Sequence, residues 1–297
     1  MANSIALAEK FQPILDEVYK RESLTARLDG QTKPVDFAGA NVVKIFKTSI
    51  IGLGTYSRAT GYPAGDVTGT WETMTLSTSR GRAFSIDRMD DEESLGMAFG
   101  TLANEFIRTG VAPEVDAYRF AKYASWSGIS TVAEAALADG AAVLAAFDAA
   151  MLTMDEDQVP SDGRLLYVSS TINGLLKTAV TRSLANENAA DRRVKMLDNV
   201  EIIPVPQSRF YTQVTLNAGA TGSAGGYVKT ASTGRDINFM LLHPSAILQA
   251  TKHAALKIFS PEENQAADAW LLQYRLYHDA FVYENKVDGV YLHKKNS

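Results

Sequence analysis

Apolar and polar positions change period three times along this chain. Over residues 42–51 (VVKIFKTSII) and 70–88, β-branched and aromatic residues alternate with Thr, Ser and Arg, which predicts one strand and then one or two more. Residues 52–69 (GLGTYSRATGYPAGDVTG) separate them and are rich in turn formers. Two strands on so long a connection make no stable sheet alone, so the hairpin must lean on something else, and its open edge invites a neighbouring chain. The period then becomes helical. Asp90 is placed to cap a helix through Thr109, with Asp91, Glu92 and Glu93 in its first turn, where the macrodipole favours them. Leu95, Phe99, Leu102 and Phe106 form its buried stripe. Gly110 should stop it, and Pro113 should open another helix containing Val115, Tyr118 and Tyr123.

Ahead of the hairpin, Phe11, Ile14, Leu15 and Val18 share one face of a short helix over residues 13–21, followed by a linker over 30–40. Ten alanines between Ala133 and Ala150 predict a thin-walled helix. Its most apolar part, 140–154, contains Asp148 and is shorter than the ~20 residues of a membrane span, so it reads as a buried helix. Beyond 158–163 (QVPSDG), short strands and helices alternate: strand 165–169, helix 171–180, strand 200–205, strand 237–242 and helix 244–250. That is an α/β or α+β domain. A glycine-rich surface loop (LNAGATGSAGG, 216–226) interrupts it, and residues 270–291 read as a closing β-rich hairpin turning at Asp288 and Gly289. There is no internal repeat.

Composition narrows the function. With 297 residues and 46 % hydrophobic content the chain can build a real core, and with no cysteine it must gain stability from packing or assembly. A net charge of -5 argues against tight nucleic-acid binding. The first residues mix Glu9, Lys10, Asp16, Glu17, Lys20 and Arg21 among apolar positions, which no signal-peptide core tolerates.

Candidate chemistry is sparse. The carboxylates Asp87, Asp90, Asp91, Glu92 and Glu93 are either an acid/base or cation site or the solvated first turn of a capped helix, and the capping pattern favours the second. His243, His253, His278 and His293 fit no zinc spacing, and adjacent His278 and Asp279 point to opposite faces of a strand. No G-x-S-x-G elbow or Walker motif occurs, and Gly52-Leu53-Gly54 has Ser57 where a dinucleotide fingerprint needs its third glycine. No catalytic residue, cofactor or metal is expected. Arg80, Arg82 and Arg88 form one basic cluster and Arg192, Arg193 and Lys195 another, both read as steering and register devices between subunits.

Three segments, ALAEKFQPILDEVYKRESLTARLD, GRAFSIDRMDDEES and AWLLQYRLYHDAFVYENKVDGVYLH, together with the order of elements, resemble the major capsid proteins of tailed bacteriophages of the Hong Kong 97 type. The resemblance covers nearly the whole chain. It implies an α+β fold with an N-terminal arm (1–32), an extended β loop (33–89), a peripheral domain (90–159) with a spine helix (90–109), an axial domain (160–250) and a closing β-rich segment (251–297). It further implies a virion protein made in the host bacterial cytoplasm, a homo-oligomer of pentamers and hexamers in an icosahedral shell. That shell encloses double-stranded DNA without sequence-specific binding, and involves no membrane. Scaffolding, portal and decoration proteins are implied partners; the short segment ahead of the β loop suggests a separate scaffolding protein or none, and covalent cross-links are not expected. The inter-subunit contact candidates are Phe11, Leu15, Tyr56, Tyr62, Trp71, Arg80, Arg82, Arg88, Asp90 and Glu92. Two alternatives stand beside this reading: an encapsulin-like compartment shell, and a carboxylate-dependent enzyme using Asp87, Asp90 and Glu92.

Overall fold

A computed structural model describes residues 22–31, 41–93, 97–132, 134–179, 194–220 and 224–296. The helix expected over 13–21, with Phe11 and Leu15, and the pair Arg192 and Arg193 lie outside the described residues, as does nearly all of the expected linker.

In chain order the elements are β1 (Val42–Ile50), β2 (Val67–Thr75), β3 (Thr78–Asp87), α1 (Arg88–Glu93), α2 (Met97–Phe106), a π turn (Ile107–Val111) and α3 (Ala112–Ala124). Then come β4 (Ser130–Val132), α4 (Gly140–Glu156), β5 (Leu165–Ser169), α5 (Ser170–Ala179), β6 (Met196–Leu197), β7 (Val200–Val205), β8 (Val214–Leu216) and β9 (Tyr227–Lys229). The chain ends with β10 (Ile237–Leu242), β11 (Ile247–Phe259), β12 (Ala269–Val282) and β13 (Val290–Lys294).

A six-stranded mixed sheet in the order β4-β13-β10-β5-β7-β6 forms the centre. Helices cover both its faces, so its central strands are mostly apolar: every residue of β10, INFMLL, is buried, and its one polar side chain, Asn238, is hydrogen-bonded to the carbonyls of Ala135 and Lys294. Met240 and Leu242 meet Phe120 and Tyr123 of α3 on one side. Phe239 and Leu241 meet Phe147 of α4 and Ile172 and Leu176 of α5 on the other. A second sheet, β11-β12-β3, packs Leu256, Ile258, Leu272 and Leu276 against Ala103, Ile107, Val111 and Val115. The hairpin β1-β2 forms its own two-stranded sheet; at its root Val43, Met74 and Leu76 join Leu248, Ala250 and Phe281, and farther along Lys47 and Glu72 reach Glu284.

Several expectations need correction. Gly110 does not stop the helix: it lies in a π turn, where the N–H of Ala112 bonds to the carbonyl of Ile107 and the chain runs straight into α3. The wider turn accommodates Pro113, which lacks the N–H an uninterrupted α-helix would use. Residues 244–250 are not helical; a single turn, Pro244–Ala246, leads into β11, whose long ladder with β12 outweighs local propensity. Residues 270–291 are not a hairpin either, because β12 pairs with β11 and β3 whereas β13 inserts between β10 and β4. Finally, α4 buries one stripe, Val143, Phe147, Ala150 and Met154, and leaves Leu152 exposed, so it is amphipathic and not buried all round.

Candidate subunit interface

Of the twelve large apolar side chains exposed among the described residues, eight belong to the hairpin: Phe46, Ile50, Ile51, Leu53, Tyr56, Tyr62, Val67 and Trp71. The ladder runs from Val42↔Thr75 to Ile50↔Val67, so the strands are continuous while only their root is covered. Phe46 and Trp71 are directly opposed, their rings 5.1 Å apart. Gly69 makes room for this pair, since a Cβ there would collide with the Phe46 ring. At the tip, paired backbone bonds between Ser57 and Gly61 close a tight turn (3.2 and 2.8 Å) that needs a positive φ, 80°, at Gly61. This turn brings Tyr56 and Tyr62 together at 4.9 Å. Apolar side chains left uncovered in this number make the hairpin a candidate protein-binding surface.

The root is held by charge and hydrogen bonds. Lys47 reaches Glu72 (3.6 Å) and also bonds Glu284, which holds its ammonium pKa above the ordinary value. Asp279, buried near the end of β12, accepts from Ser77 N and Oγ (both 2.9 Å) and from the Tyr118 hydroxyl (2.8 Å). The Tyr118 hydroxyl also receives Thr78 Oγ1 at 2.6 Å. His278 packs edge-on against Tyr118, ring centroids 5.4 Å apart, and burial, helped by the charge of Arg119, lowers its pKa to about 4.

Of the basic cluster, Arg80 and Arg82 act together and Arg88 stands apart. Arg80 forks onto Glu114 (2.5 and 3.1 Å) and donates to the carbonyls of Asn217 and Gly226, while Arg82 donates to Gly219 O at 3.0 Å. The glycine-rich loop between β8 and β9 is thereby strapped to β3. Arg88 faces Glu262 and Asp268 at 3.6 Å.

The carboxylates do not converge. The helix starts at Arg88, and its cap is Asp87, whose Oδ1 accepts from Met89 N at 2.9 Å; the expected cap, Asp90, sits inside α1 and is exposed. The Glu92 side chain lies outside the described residues. Among the described residues no group of three or more acidic or histidine side chains is placed to hold a metal.

Sequence reasoning missed one anchor. Asp116, fully buried in α3, accepts from Ser23 Oγ (2.7 Å), Leu24 N (3.0 Å), Thr25 N (3.2 Å), Thr25 Oγ1 (2.6 Å) and Arg209 (3.3 Å). It ties down the segment from which residues 1–21 emerge, and Leu28 plugs the main core beside it. The available signal was a lone acid between Ala112 and Phe120 on the buried face of a helix.

A helix-covered mixed sheet, a three-stranded sheet laid on one long helix, and an uncovered hairpin together make the α+β fold of bacteriophage capsid subunits. The capsid structure of Cyanophage P-SCSP1u matches with a TM-score of 0.61 at 13% identity over 89% of this chain and 86% of that one. The mature capsid of bacteriophage PhiM1 matches with a TM-score of 0.57 at 16% identity over 88% and 83%. A virus-like particle from Pyrococcus furiosus matches with a TM-score of 0.56 at 10% identity over 97% and 100%. No protein-family model matches the sequence, and neither does any curated protein.

Proposed function

We propose that this chain is the major capsid subunit of a tailed phage or prophage, assembling as pentamers and hexamers into an icosahedral shell around double-stranded DNA. The observation that carries the proposal is the hairpin. It is a stiff, paired ladder whose apolar side chains find no cover in their own chain, on a fold that capsid subunits share. Residues 33–89 would form the loop laid over a neighbour, 90–159 the peripheral domain, 160–250 the axial domain and 251–297 the closing segment, with residues 1–32 as an arm rooted at Asp116. The mechanism is additive: many modest contacts per subunit, repeated around symmetry axes, sum to large avidity. The role is structural. Among the described residues Asp87 serves as a helix cap and Asp90 is solvent-exposed, and the two do not converge with any other acidic or histidine side chain.

A second reading, a compartment shell of the encapsulin kind, is favoured by one observation: the virus-like particle from Pyrococcus furiosus matches along its whole length. Negative-stain microscopy of the purified protein tests the shared core of both readings. Closed particles, tubes or capsomers are expected, and persistent monomers or dimers under every condition would overturn it. Particles from the native source then separate the two readings, nuclease-resistant double-stranded DNA inside supporting the phage head and enclosed protein cargo the compartment.

A further inference from the structure

Between β3, the helical spine and the loop joining β8 to β9 lies a cavity of about 380 Å³. Phe84, Phe106, Tyr274 and Leu276 give it apolar walls, with Phe84 and Phe106 edge-to-face at 4.8 Å. Its polar groups are few and specific. His278 stands in the wall, 2% exposed, and its Nδ1 has no hydrogen-bond partner. Arg82 stands on the rim, exposed, with one bond to Gly219 O and no carboxylate partner among the described residues. Gly219 allows that approach: its φ is 68°, and a Cβ there would lie 2.7 Å from the guanidinium.

We infer that this cavity receives the paired tyrosines Tyr56 and Tyr62 at the hairpin tip of a second copy of the chain. The inference rests on the shell-forming reading above and names the receptor for its hairpin. The occupant is assigned to another copy, because the nine-position ladder carries the tip about 30 Å from its own root at ~3.3 Å per residue and no residue of 51–66 lines the cavity or joins a buried cluster. The chemistries match. Aromatic rings suit the apolar walls, and the electron-rich ring faces and the exposed carboxylate of Asp66 suit the uncompensated Arg82. The tip is also preorganised. Its Ser57 to Gly61 turn is closed by backbone bonds, and Gly54 lies so close to Pro63 that a Cβ would meet that ring at 2.6 Å.

The absence of native cysteine makes the test direct. The double variant Tyr62→Cys, Ala218→Cys places one thiol on the tip and one on the cavity rim, which bridge only if their backbones come within a few ångströms. Mild oxidation of assembled particles should give a ladder of covalent oligomers on a non-reducing gel, absent from either single variant. Ala218→Trp provides a second readout, since this exposed loop position leaves folding intact and the indole obstructs the cavity mouth. The subunit should keep its circular dichroism and melting temperature while its critical concentration for assembly rises about tenfold. Particles that assemble as wild type in the Trp variant and give no Tyr62–Ala218 ladder overturn the inference and leave the shell reading standing. A ladder from Phe11→Cys with Ala218→Cys instead would assign the cavity to the arm and overturn it equally. Wild-type protein that never assembles overturns the shell reading, and this inference with it.

Discussion

His278 ties stability to pH through a single imidazole. Burial holds its pKa at about 4 when folded, against 6.5 for the unperturbed side chain. Between those values the unfolded chain binds a proton that the folded chain refuses, so stability is complete above pH 6.5 and falls as the pH drops toward 4. The loss amounts to on the order of 3 kcal/mol. Urea midpoints measured across this window should fall with pH in the wild type and fall less in His278→Phe; an equal fall in both would assign the effect to carboxylates or to His293, whose pKa burial also lowers. Asp116 makes a different contribution. Asp116→Ala leaves two hydroxyls and two backbone N–H groups of the Ser23 to Thr25 segment without their acceptor, a loss of roughly 2–4 kcal/mol. The expected result is a lower melting temperature, with trypsin cutting at Arg27 much faster than in the wild type. Unchanged cleavage would mean that Leu28 and the packing around it hold the segment unaided.

At the scale of elements, the hairpin is separable from the fold. None of the residues between Ile50 and Val67 belongs to a buried cluster, and Ile50↔Val67 is the last paired position of the ladder. Replacing residues 51–66 by Asn-Gly closes the same ladder with a two-residue turn. Circular dichroism and melting should be preserved, while light scattering shows assembly lost or slowed; unimpaired shells would show that the tip clasps nothing. The strands of this element were legible because alternation over 42–51 and 70–88 needs no tertiary information. The same local logic located β5, β7 and β10, which are short, predominantly apolar runs. It failed where distant pairing decides. Residues 244–250 have helical spacing, yet β12 pulls them into a ladder, and β13 leaves its sequence neighbour for a sheet assembled from residues 130 to 294. The candidate interface was half legible for a related reason. Tyr56, Tyr62, Trp71, Arg80 and Arg82 are local features of one segment, whereas Asp116, Asp279 and His278 matter only because residues far along the chain meet them.

For the molecule as a whole, the balance between charge and apolar contact decides how copies associate. Each chain carries a net charge of -5, so subunits repel at long range. The hairpin carries Lys44, Lys47 and Arg58 against Asp66 and Glu72, and Lys47 and Glu72 are already engaged with one another, so its residual charge is too small to reverse that repulsion. The attractive surface is instead the exposed apolar set from Phe46 to Trp71, whose burial does not weaken with salt. Exposed ion pairs contribute roughly 0–1 kcal/mol each and are screened over ~8 Å at physiological ionic strength. Repulsion is therefore the salt-sensitive part of the balance. Raising sodium chloride from about 0.05 to about 0.5 M should lower the critical concentration for assembly measured by light scattering, because screening removes the opposing term and leaves the apolar one. Dissolution of preformed particles over the same range would show that ion pairs such as those available to Arg82, and not the hairpin's aromatic surface, hold the subunits together.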